Sequence, residues 1–277
     1  MAHATSGSHL RRWIAPVVSL TLLLLLIVYA VGIEPHRIEV THHRLREGST
    51  TQGLRLVQLT DLHLERMGAD QERWVEIVKS IAPDLVVISG DAIEESGQLP
   101  ALTTLIKALA PIPTYMTPGN WEHWSGVDFQ ALKRHIEVRD SARFLLNERV
   151  TVTHAGLTWQ IVGLDDFTAG SPDLALLRPA EPGVAQILVQ HSPGFFDQSA
   201  VRDRMRNQRN TLCLSGHTHG GQVALGAWAP WRPAGSGGYT AGFYDVPGCR
   251  LYVSRGLGTS ILPIRLGARP EIAVFEL

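Results

Sequence analysis

The pattern of apolar and polar residues changes abruptly near Glu34. Before it, 13–33 reads WIAPVVSLTLLLLLIVYAVGI and contains no charged residue. A helix rises about 1.5 Å per residue, so a run of roughly 20 apolar residues is long enough to cross the hydrocarbon core of a bilayer. The sequence therefore predicts a membrane helix at about 13–33. A buried core helix is the alternative, and apolar residues on every face of 22–28 disfavour it.

Basic residues on both sides of this run indicate whether it is cleaved as a signal peptide and how it is oriented in the membrane. Arg11 and Arg12 directly precede it, as in a signal peptide, and they also form a twin arginine. No clear Ala-x-Ala cleavage site follows, so we favour an uncleaved anchor over an exported, cleaved protein. Arg37, Arg44 and Arg46 follow the run and nearly balance the first pair. The positive-inside rule then leans slightly towards a body on the outer side.

Beyond residue 46, short apolar runs alternate with stretches in which apolar residues recur at helical spacing. Strands are predicted at 54–60, 85–89 and 114–117, and helices at 70–81, 99–109 and 129–136. Strands that alternate with helices are typical of βαβ units. This part of the sequence therefore predicts an α/β fold with a parallel sheet.

The pattern differs in the middle of the chain. Three short runs at 144–146, 150–153 and 157–162 are separated by turn residues, which predicts local antiparallel sheet. Buried strands return at 185–190 and 211–215, and 238–277 again has β character. We find no internal repeat and no low-complexity linker. The elements predict one domain at 37–277 after an N-terminal anchor segment at 1–36.

Composition adds little except for histidine. Hydrophobic residues make up 44% of the chain and charged residues 18%, which suffices for a sizeable core. The formal net charge of −1 argues against nucleic-acid binding through bulk positive charge. The two cysteines, Cys213 and Cys249, are too few for a disulfide framework or a cysteine zinc site. The 12 histidines are more informative, because several follow predicted strands.

Side chains that can bind metals follow five of the predicted strands. They are Asp61 and His63, Asp91, Asn120, His191, and His217 and His219. A single Asp or His after a strand is usually a turn former or a helix cap. Five strands in succession are not explained that way, and the carboxyl ends of strands are where α/β folds build their sites. The sequence predicts that these residues converge on one edge of the sheet.

The most specific of these motifs is Gly-His-Thr-His-Gly-Gly-Gln at 216–222. Two histidines two residues apart within a glycine frame serve no evident structural purpose. Imidazole nitrogen is a ligand that transition ions prefer, so the motif indicates a metal-binding loop. The other motifs are weaker, since Gly90-Asp91 and Gly119-Asn120 are also ordinary turn sequences.

These motifs, in this order, resemble those of the calcineurin-like metallophosphoesterase superfamily. The resemblance extends from residue 54 to the end of the chain. SGHTHGGQ at 215–222, SRGLGTS at 254–260 and PIRLGARPEI at 263–272 resemble in particular the membrane-associated bacterial phosphoesterases of the YkuE and YaeI type. The resemblance implies a two-sheet αββα sandwich with a metal site at the strand carboxyl ends, and a single-pass protein of the bacterial inner membrane.

The resemblance also implies two divalent metal ions. The strand-end residues would divide into a first ligand set, a second set and one bridging residue: Asp61, His63 and His219; Asn120, His191 and His217; and Asp91. Two such ions about 3.5–4 Å apart can clamp a phosphate and activate a bridging hydroxide for attack on phosphorus. Nitrogen and oxygen ligands do not choose among Mn, Fe, Zn, Co and Ni.

One position departs from the family pattern. The family has Gly-Asn-His-Asp/Glu, in which the histidine assists the transition state or protonates the leaving oxygen, whereas this chain has Trp121 after Asn120. An indole N–H can donate a hydrogen bond but cannot act as a general acid. Either His123 takes that catalytic role, or the enzyme works without the acid and favours good leaving groups. His123 could also be an exposed turn residue without a role.

We therefore expect a membrane-anchored phosphohydrolase that cleaves phosphodiester or pyrophosphate bonds, with a substrate that is lipid-linked or derived from the envelope. A relative of UDP-2,3-diacylglucosamine pyrophosphatases is an alternative, and it would need a cytoplasmic body. A non-catalytic metal-binding scaffold is another. The loop at 225–239, with Trp228 and Trp231, is a substrate-facing lid, a membrane-touching rim or a plain surface loop.

Overall fold

The first helix of the fold is long and apolar. The computed structural model describes residues 7–45, 53–208, 211–226 and 228–277. Arg46, one of the basic residues that follow the apolar run, lies outside the described residues. Helix α1 spans Gly7–Gly32, and the predicted membrane helix lies within it. Within the described part of the chain, Trp13–His36 is the one segment long and apolar enough to cross a membrane, judged by length and composition. Its side chains are mostly exposed.

The first sheet has six strands in the order β1-β12-β2-β3-β4-β5. The strands are β1 (Glu39–Arg44), β2 (Arg55–Leu59), β3 (Leu85–Ser89), β4 (Thr114–Thr117), β5 (Ala142–Phe144) and β12 (Glu271–Glu276). Strands β2 to β5 are parallel, as βαβ alternation predicts. The helices that follow β2, β3 and β4 are α2 (Ala69–Ile81), α3 (Leu99–Leu109), and α4 (Asn120–Trp124) with α5 (Phe129–Ile136).

The second sheet also has six strands, in the order β10-β11-β9-β8-β7-β6. They are β6 (Glu148–His154), β7 (Leu157–Gly163), β8 (Ala185–Val189), β9 (Thr211–Ser215), β10 (Gly242–Val246) and β11 (Cys249–Val253). Strands β7, β8, β9 and β11 are parallel to one another, and the edge strands β6 and β10 are antiparallel to their neighbours. A short helix α6 (Ser199–Met205) lies between β8 and β9 in the chain.

The two sheets pack face to face between helical layers. Neighbouring residues of a strand point to opposite faces. Leu56 therefore joins the core between the sheets, with Ile187 of β8, whereas Val57 joins the core formed with Val78 of α2 and Leu105 of α3. The outer face of the second sheet is covered by α6 and by a 3₁₀ turn at Pro193–Asp197. The predicted two-sheet αββα sandwich is confirmed.

Two local predictions need correction. The run at 144–146 was expected in antiparallel sheet with its successors, but β5 starts at Ala142 and pairs in parallel with β4 of the first sheet. The connection through α4 and α5 is long enough to return the chain to the edge where β4 begins, so β5 can pair with β4 in parallel. The basic stretch after α1 was given no strand, yet β1 forms there by pairing with β12 from the far end of the chain. The division of the chain at residues 36 and 37 stays a prediction.

The two cysteines form a disulfide between neighbouring strands. Cys213 of β9 and Cys249 of β11 are bonded, with their Cα atoms 6.0 Å apart. Both side chains are buried in the core on the outer face of the second sheet. The two cysteines make no framework, but they do make one covalent link within the fold.

Candidate metal centre

The seven side chains expected from the sequence follow the carboxyl ends of strands from both sheets. Asp61 and His63 follow β2, Asp91 follows β3, and Asn120 follows β4 in the first sheet; His191 follows β8, and His217 and His219 follow β9, in the second. The structure brings six of them into two groups of three, and within each group the possible ligand atoms lie within 4.8 Å of one another. The groups are Asp61, His63 and His219; and Asp91, His191 and His217. Asn120 joins the second group through a contact to His217.

The first cluster consists of Asp61, His63 and His219. The Nε2 atoms of the two imidazoles lie 3.2 Å apart, and Nε2 of His219 is 3.4 Å from Oδ1 of Asp61. All three residues are buried. Two imidazole nitrogens and a carboxylate oxygen therefore point to one small region, as the ligands of a cation would.

The second cluster consists of Asp91, His191, His217 and Asn120. Nε2 of His191 lies 3.0 Å from Oδ2 of Asp91, and Nδ1 of His217 lies 2.8 Å from Oδ1 of Asn120. The two clusters adjoin, because Nε2 of His191 is also 4.0 Å from Oδ1 of Asp61 in the first cluster. The arrangement is a pair of neighbouring sites rather than a single one.

The backbone at these residues is unusual. Asp61, His63, Asp91, His217 and His219 all have φ between 45° and 72°, in the left-handed region that side chains with a Cβ rarely adopt. Such strain persists only where the surrounding structure enforces it, and it concentrates at functional sites. The strand ends here bend sharply, and the bends turn the side chains towards one another.

The glycines of the motifs are required by close packing at the same place. A Cβ added to Gly90 would lie 2.5 Å from Nδ1 of His191. At Gly119 it would overlap the carboxylate of Asp91, and at Gly216 it would overlap Asp61. The Gly-Asp, Gly-Asn and Gly-His pairs are therefore explained by the approach of the loops from both sheets.

Hydrogen bonds on the outer side fix the histidine rings. Nδ1 of His191 lies 2.8 Å from the carbonyl oxygen of Ser89, and Nε2 of His217 lies 2.7 Å from the carbonyl oxygen of Ala234. A carbonyl accepts only from N–H, so each ring carries a proton on that nitrogen and directs its other nitrogen to the cluster. Nδ1 of His63 lies 2.8 Å from Oε1 of Glu94, which orients that ring in the same way.

Glu122 joins two of the motif loops and was not singled out from the sequence. Its fully buried carboxylate accepts hydrogen bonds from the backbone N–H groups of Gly119, Asp91, Ala92 and Ile93, at 2.7 to 3.3 Å. The spacing of Glu122 three residues after Gly119 was the available signal, since a carboxylate there caps a helix start. Glu94, three residues after Asp91, carried no comparable signal.

Burial and neighbouring charges shift the pKa values of the residues in both clusters. Burial raises the pKa of Asp61, and burial together with the nearby His63 holds the pKa of His219 well below its usual range. Burial alone would raise the pKa of Asp91, but the charge and hydrogen bond of His191 lower it to about 2. Burial disfavours the charged form of His191, yet Asp91 outweighs burial and raises its pKa well above the usual value. A cation would therefore compete with a proton at His191.

Trp121 and His123 lie on α4 beside the clusters but belong to neither. The indole of Trp121 contacts the ring of His63 edge to face, with centroids 6.0 Å apart, and its backbone N–H donates to Oδ1 of Asp91 at 2.9 Å. Nε2 of His123 lies 2.7 Å from Oδ1 of Asp165. That hydrogen bond raises the pKa of His123, although partial burial opposes it.

The donor set fits divalent transition ions. Nδ1 of His219 is buried and makes no hydrogen bond within the described structure. Four imidazoles with carboxylate and amide oxygens match the ligand preferences of Mn, Fe, Co, Ni and Zn rather than those of Ca or Mg alone. The Nε2 atoms of His63 and His219 face each other at 3.2 Å, and a cation between such rings would satisfy both lone pairs.

Comparison with known proteins agrees with this chemistry. Residues 54–221 match the family model of the calcineurin-like phosphoesterases. The Bacillus subtilis metallophosphoesterase YkuE is 32% identical over 90% of this chain and 88% of its own length. The Escherichia coli phosphodiesterase YaeI is 29% identical over 88% of this chain and 90% of its own length. A bovine transmembrane protein with a metallophosphoesterase domain is 29% identical over 85% of this chain and 55% of its own length. The chain therefore belongs to the calcineurin-like phosphoesterase family and is a metal-dependent phosphoric ester hydrolase.

Proposed function

We propose that the protein is a membrane-anchored phosphohydrolase that uses two divalent ions to cleave phosphodiester or pyrophosphate bonds. The observation that carries the proposal is the pair of adjoining buried clusters at the strand carboxyl ends. The similarity to YaeI, which is named a phosphodiesterase, supports the substrate class. When bound, two ions would supply an activated water and neutralise charge that develops on phosphorus.

The two clusters support roles for the chain's own residues. Asp61, His63 and His219 would hold one ion, and Asn120, His191 and His217 the other, with Asp91 between them. The carbonyls of Ser89 and Ala234 and the carboxylate of Glu94 would keep the histidines in the ligating orientation. Burial of both clusters would exclude bulk water and strengthen every charge interaction at the phosphate.

His123 is the residue we propose as proton donor to the leaving oxygen. Its hydrogen bond to Asp165 raises its pKa, so the imidazole is protonated at a higher pH than a free histidine. A donor must be protonated at the working pH, and a positioned acid contributes about 10²- to 10⁴-fold. If His123 does not serve, the enzyme would favour leaving groups that need no proton, such as pyrophosphates or activated esters.

The orientation that we propose places the catalytic domain on the outer side of the membrane. The disulfide between Cys213 and Cys249 supports this, because disulfides persist in oxidising compartments and are rare in the cytosol. The same disulfide disfavours a relative of UDP-2,3-diacylglucosamine pyrophosphatases, which would need a cytoplasmic body. The name of the bovine relative is consistent with a membrane protein.

The proposal is tested with purified full-length protein. Metal analysis should find two ions per chain, and bis(p-nitrophenyl) phosphate should be hydrolysed with added Mn. No hydrolysis by the metal-loaded protein would favour the non-catalytic scaffold. Accessibility of the body to protease in spheroplasts tests the orientation separately from the chemistry.

The role of His123 is tested by a leaving-group series on wild type and His123→Ala. If His123 is the acid, the substitution should slow alkyl esters far more than aryl esters. Identical dependence on leaving-group pKa in the two proteins would show that His123 is not the donor. Trp124→Ala, one residue further along α4, is the control for a general effect on the helix.

A further inference from the structure

Exposed apolar side chains of the body are concentrated on two loops. Beyond the apolar run at 13–33, the described residues include seven large hydrophobic side chains that are exposed, and five of them belong to these loops. We name the five the apolar rim: Leu225, Trp228, Trp231, Ile261 and Leu262. A concentration of this kind marks an interaction surface, whereas singly scattered apolar residues do not.

The two loops form one surface next to the candidate metal centre. The side-chain amide of Gln222 donates to the carbonyl of Ser260 at 3.1 Å and accepts from its N–H at 2.8 Å. The N–H of Ala224 donates to the carbonyl of Leu266 at 2.8 Å. Gln222 is the last residue of the motif at 216–222 that carries His217 and His219, so the rim borders the mouth of the site.

The same surface is fixed to the end of the apolar helix. The N–H of Arg265 donates to the carbonyl of Ala30 at 2.9 Å, and the N–H of Ala268 donates to the buried carboxylate of Glu34 at 2.9 Å. Ala30 is three residues before Ile33, where the apolar run ends, a rise of about 5 Å. The loop that carries Ile261 therefore lies level with the last turn of α1, which is the depth of the headgroup layer if α1 spans the bilayer.

Strand register shows that α1 leads into the fold at the edge of the first sheet where the candidate metal centre lies. We call this edge the metal edge. Glu39 at the start of β1 pairs with Glu271, and Ala273 pairs with Gln58 near the end of β2. β1 therefore begins where β2 ends, beside Asp61. The amino ends of β2 to β5 lie at the opposite edge, away from α1.

Ile261 has an unfavourable backbone conformation and an exposed apolar side chain. Its φ is 66° and its side chain is 75% exposed. The left-handed region is unfavourable for a β-branched residue, and Gly or Asn would occupy it with less strain. An aqueous surface gives no compensation for either the strain or the exposure, whereas contact with lipid would stabilise the exposed side chain.

A groove connects the metal centre with the membrane end. It has a volume of about 310 Å³, and its lining includes His63 and Glu94 as well as Pro35 and His36, which directly follow the apolar run. A phosphate headgroup in the leaflet that surrounds the end of α1 would have a short path to the first cluster.

We propose that the apolar rim lies in the headgroup layer of the membrane that holds α1, and that the mouth of the site faces that layer to accept phosphoesters of lipids embedded in it. The proposal rests on the proposed anchoring of α1 and deepens the proposed function by naming the substrate class. The anchor then acts as more than a tether, because its end fixes the distance and tilt of the site above the bilayer.

The depth of the rim is tested with full-length protein in nanodiscs of phosphatidylethanolamine and phosphatidylglycerol. A spin label is attached to Ile261→Cys or Leu262→Cys; the native cysteines are paired and buried. Val138→Cys is the control, since Val138 is 37% exposed and precedes β5 at the opposite edge. We expect the rim labels to be more accessible to oxygen than to a water-soluble nickel chelate, and the label at 138 to show the reverse.

Equal water accessibility at 261, 262 and 138 would overturn the proposal. Spin–spin broadening at the rim in discs that hold two copies, with water accessibility retained in discs that hold one, would also overturn it in favour of a contact between copies. Neither measurement depends on catalysis, so the rim can be tested even if the proposed chemistry fails.

A second experiment tests access to the substrate. Ile261→Glu combined with Leu262→Glu should lower turnover of a phosphatidyl-p-nitrophenol probe in the disc about tenfold or more, because charged groups leave the apolar boundary. Turnover of soluble bis(p-nitrophenyl) phosphate should stay within about twofold of wild type. Val138→Glu should change neither rate. Equal loss on both probes, or loss on neither, would contradict a lipid-facing mouth.

Discussion

Glu122 offers the sharpest test of how the loops that carry Asp91 and Asn120 are held together. Each of its carboxylate oxygens accepts two backbone N–H groups: Oε2 those of Gly119 and Asp91, and Oε1 those of Ala92 and Ile93. Glu122→Gln preserves the shape of the side chain but replaces one acceptor oxygen with an NH₂ donor. Whichever way the amide turns, two buried N–H groups then face a donor and lose their partner.

The magnitude follows from those two groups. Leaving a buried donor unsatisfied costs about 1–3 kcal/mol, so two of them give roughly 2–6 kcal/mol. Burial disfavours the charged carboxylate and raises the pKa of Glu122, so part of the native stabilisation is already offset. We therefore expect a loss of about 3 kcal/mol in the free energy of unfolding, which is about 150-fold in the unfolding equilibrium.

The assay is guanidinium unfolding of full-length protein in detergent, followed by tryptophan fluorescence with EDTA present to remove metal stabilisation. Glu76→Gln is the matched control, because Glu76 is exposed on α2 and should change stability by less than about 0.5 kcal/mol. With metal restored, Glu122→Gln should also bind the ions more weakly, since Asp91 is no longer fixed. A variant as stable as the control would refute the view that Glu122 holds the two loops together.

Three further predictions follow from other parts of the fold. Asp91→Asn should lower activity by orders of magnitude and lower the metal content on mass spectrometry, while circular dichroism shows the fold intact; full activity would remove the two-ion assignment. The pKa of His123 is raised above 6.5 by its hydrogen bond to Asp165, so the stability that this pair provides should be complete below pH 6.5 and lost as the pH rises through the folded-state value. The free energy of unfolding, measured across that pH range, should show this dependence in wild type and lack it in His123→Ala. Replacing both Cys213 and Cys249 by Ala should cost about 3–4 kcal/mol, because the bond closes a loop with a separation of 36 residues; unchanged unfolding under reducing and oxidising conditions would contradict this.

The elements of the fold were largely predictable from local patterns. Helices α3 and α5 and strands β3, β4 and β9 have the predicted bounds, because their apolar periodicity and flanking turn residues are properties of short segments. The strand-end positions of Asp61, Asp91 and His217 could be predicted for the same reason. Their convergence followed from the general placement of sites at strand carboxyl ends.

Other features were decided only by tertiary structure. β1 forms because β12, more than two hundred residues later in the chain, offers it a partner. The disulfide joins cysteines that only the pairing of β9 with β11 brings together. The left-handed backbone at the candidate metal ligands depends on loops from both sheets that meet at one point. The contacts of Glu122 depend on two loops of the first sheet, after β3 and after β4.

The sequence by itself determined most of the helices and strands, that α1 is apolar enough for a membrane, and which side chains are candidate metal ligands. Those properties reside in side-chain chemistry and local spacing. The tertiary structure decided which of those side chains meet, how each histidine is oriented, and that the end of α1 docks beside Arg265 at the metal edge. Contacts between residues far apart in sequence depend on the packing of the whole chain, and no local pattern specifies them.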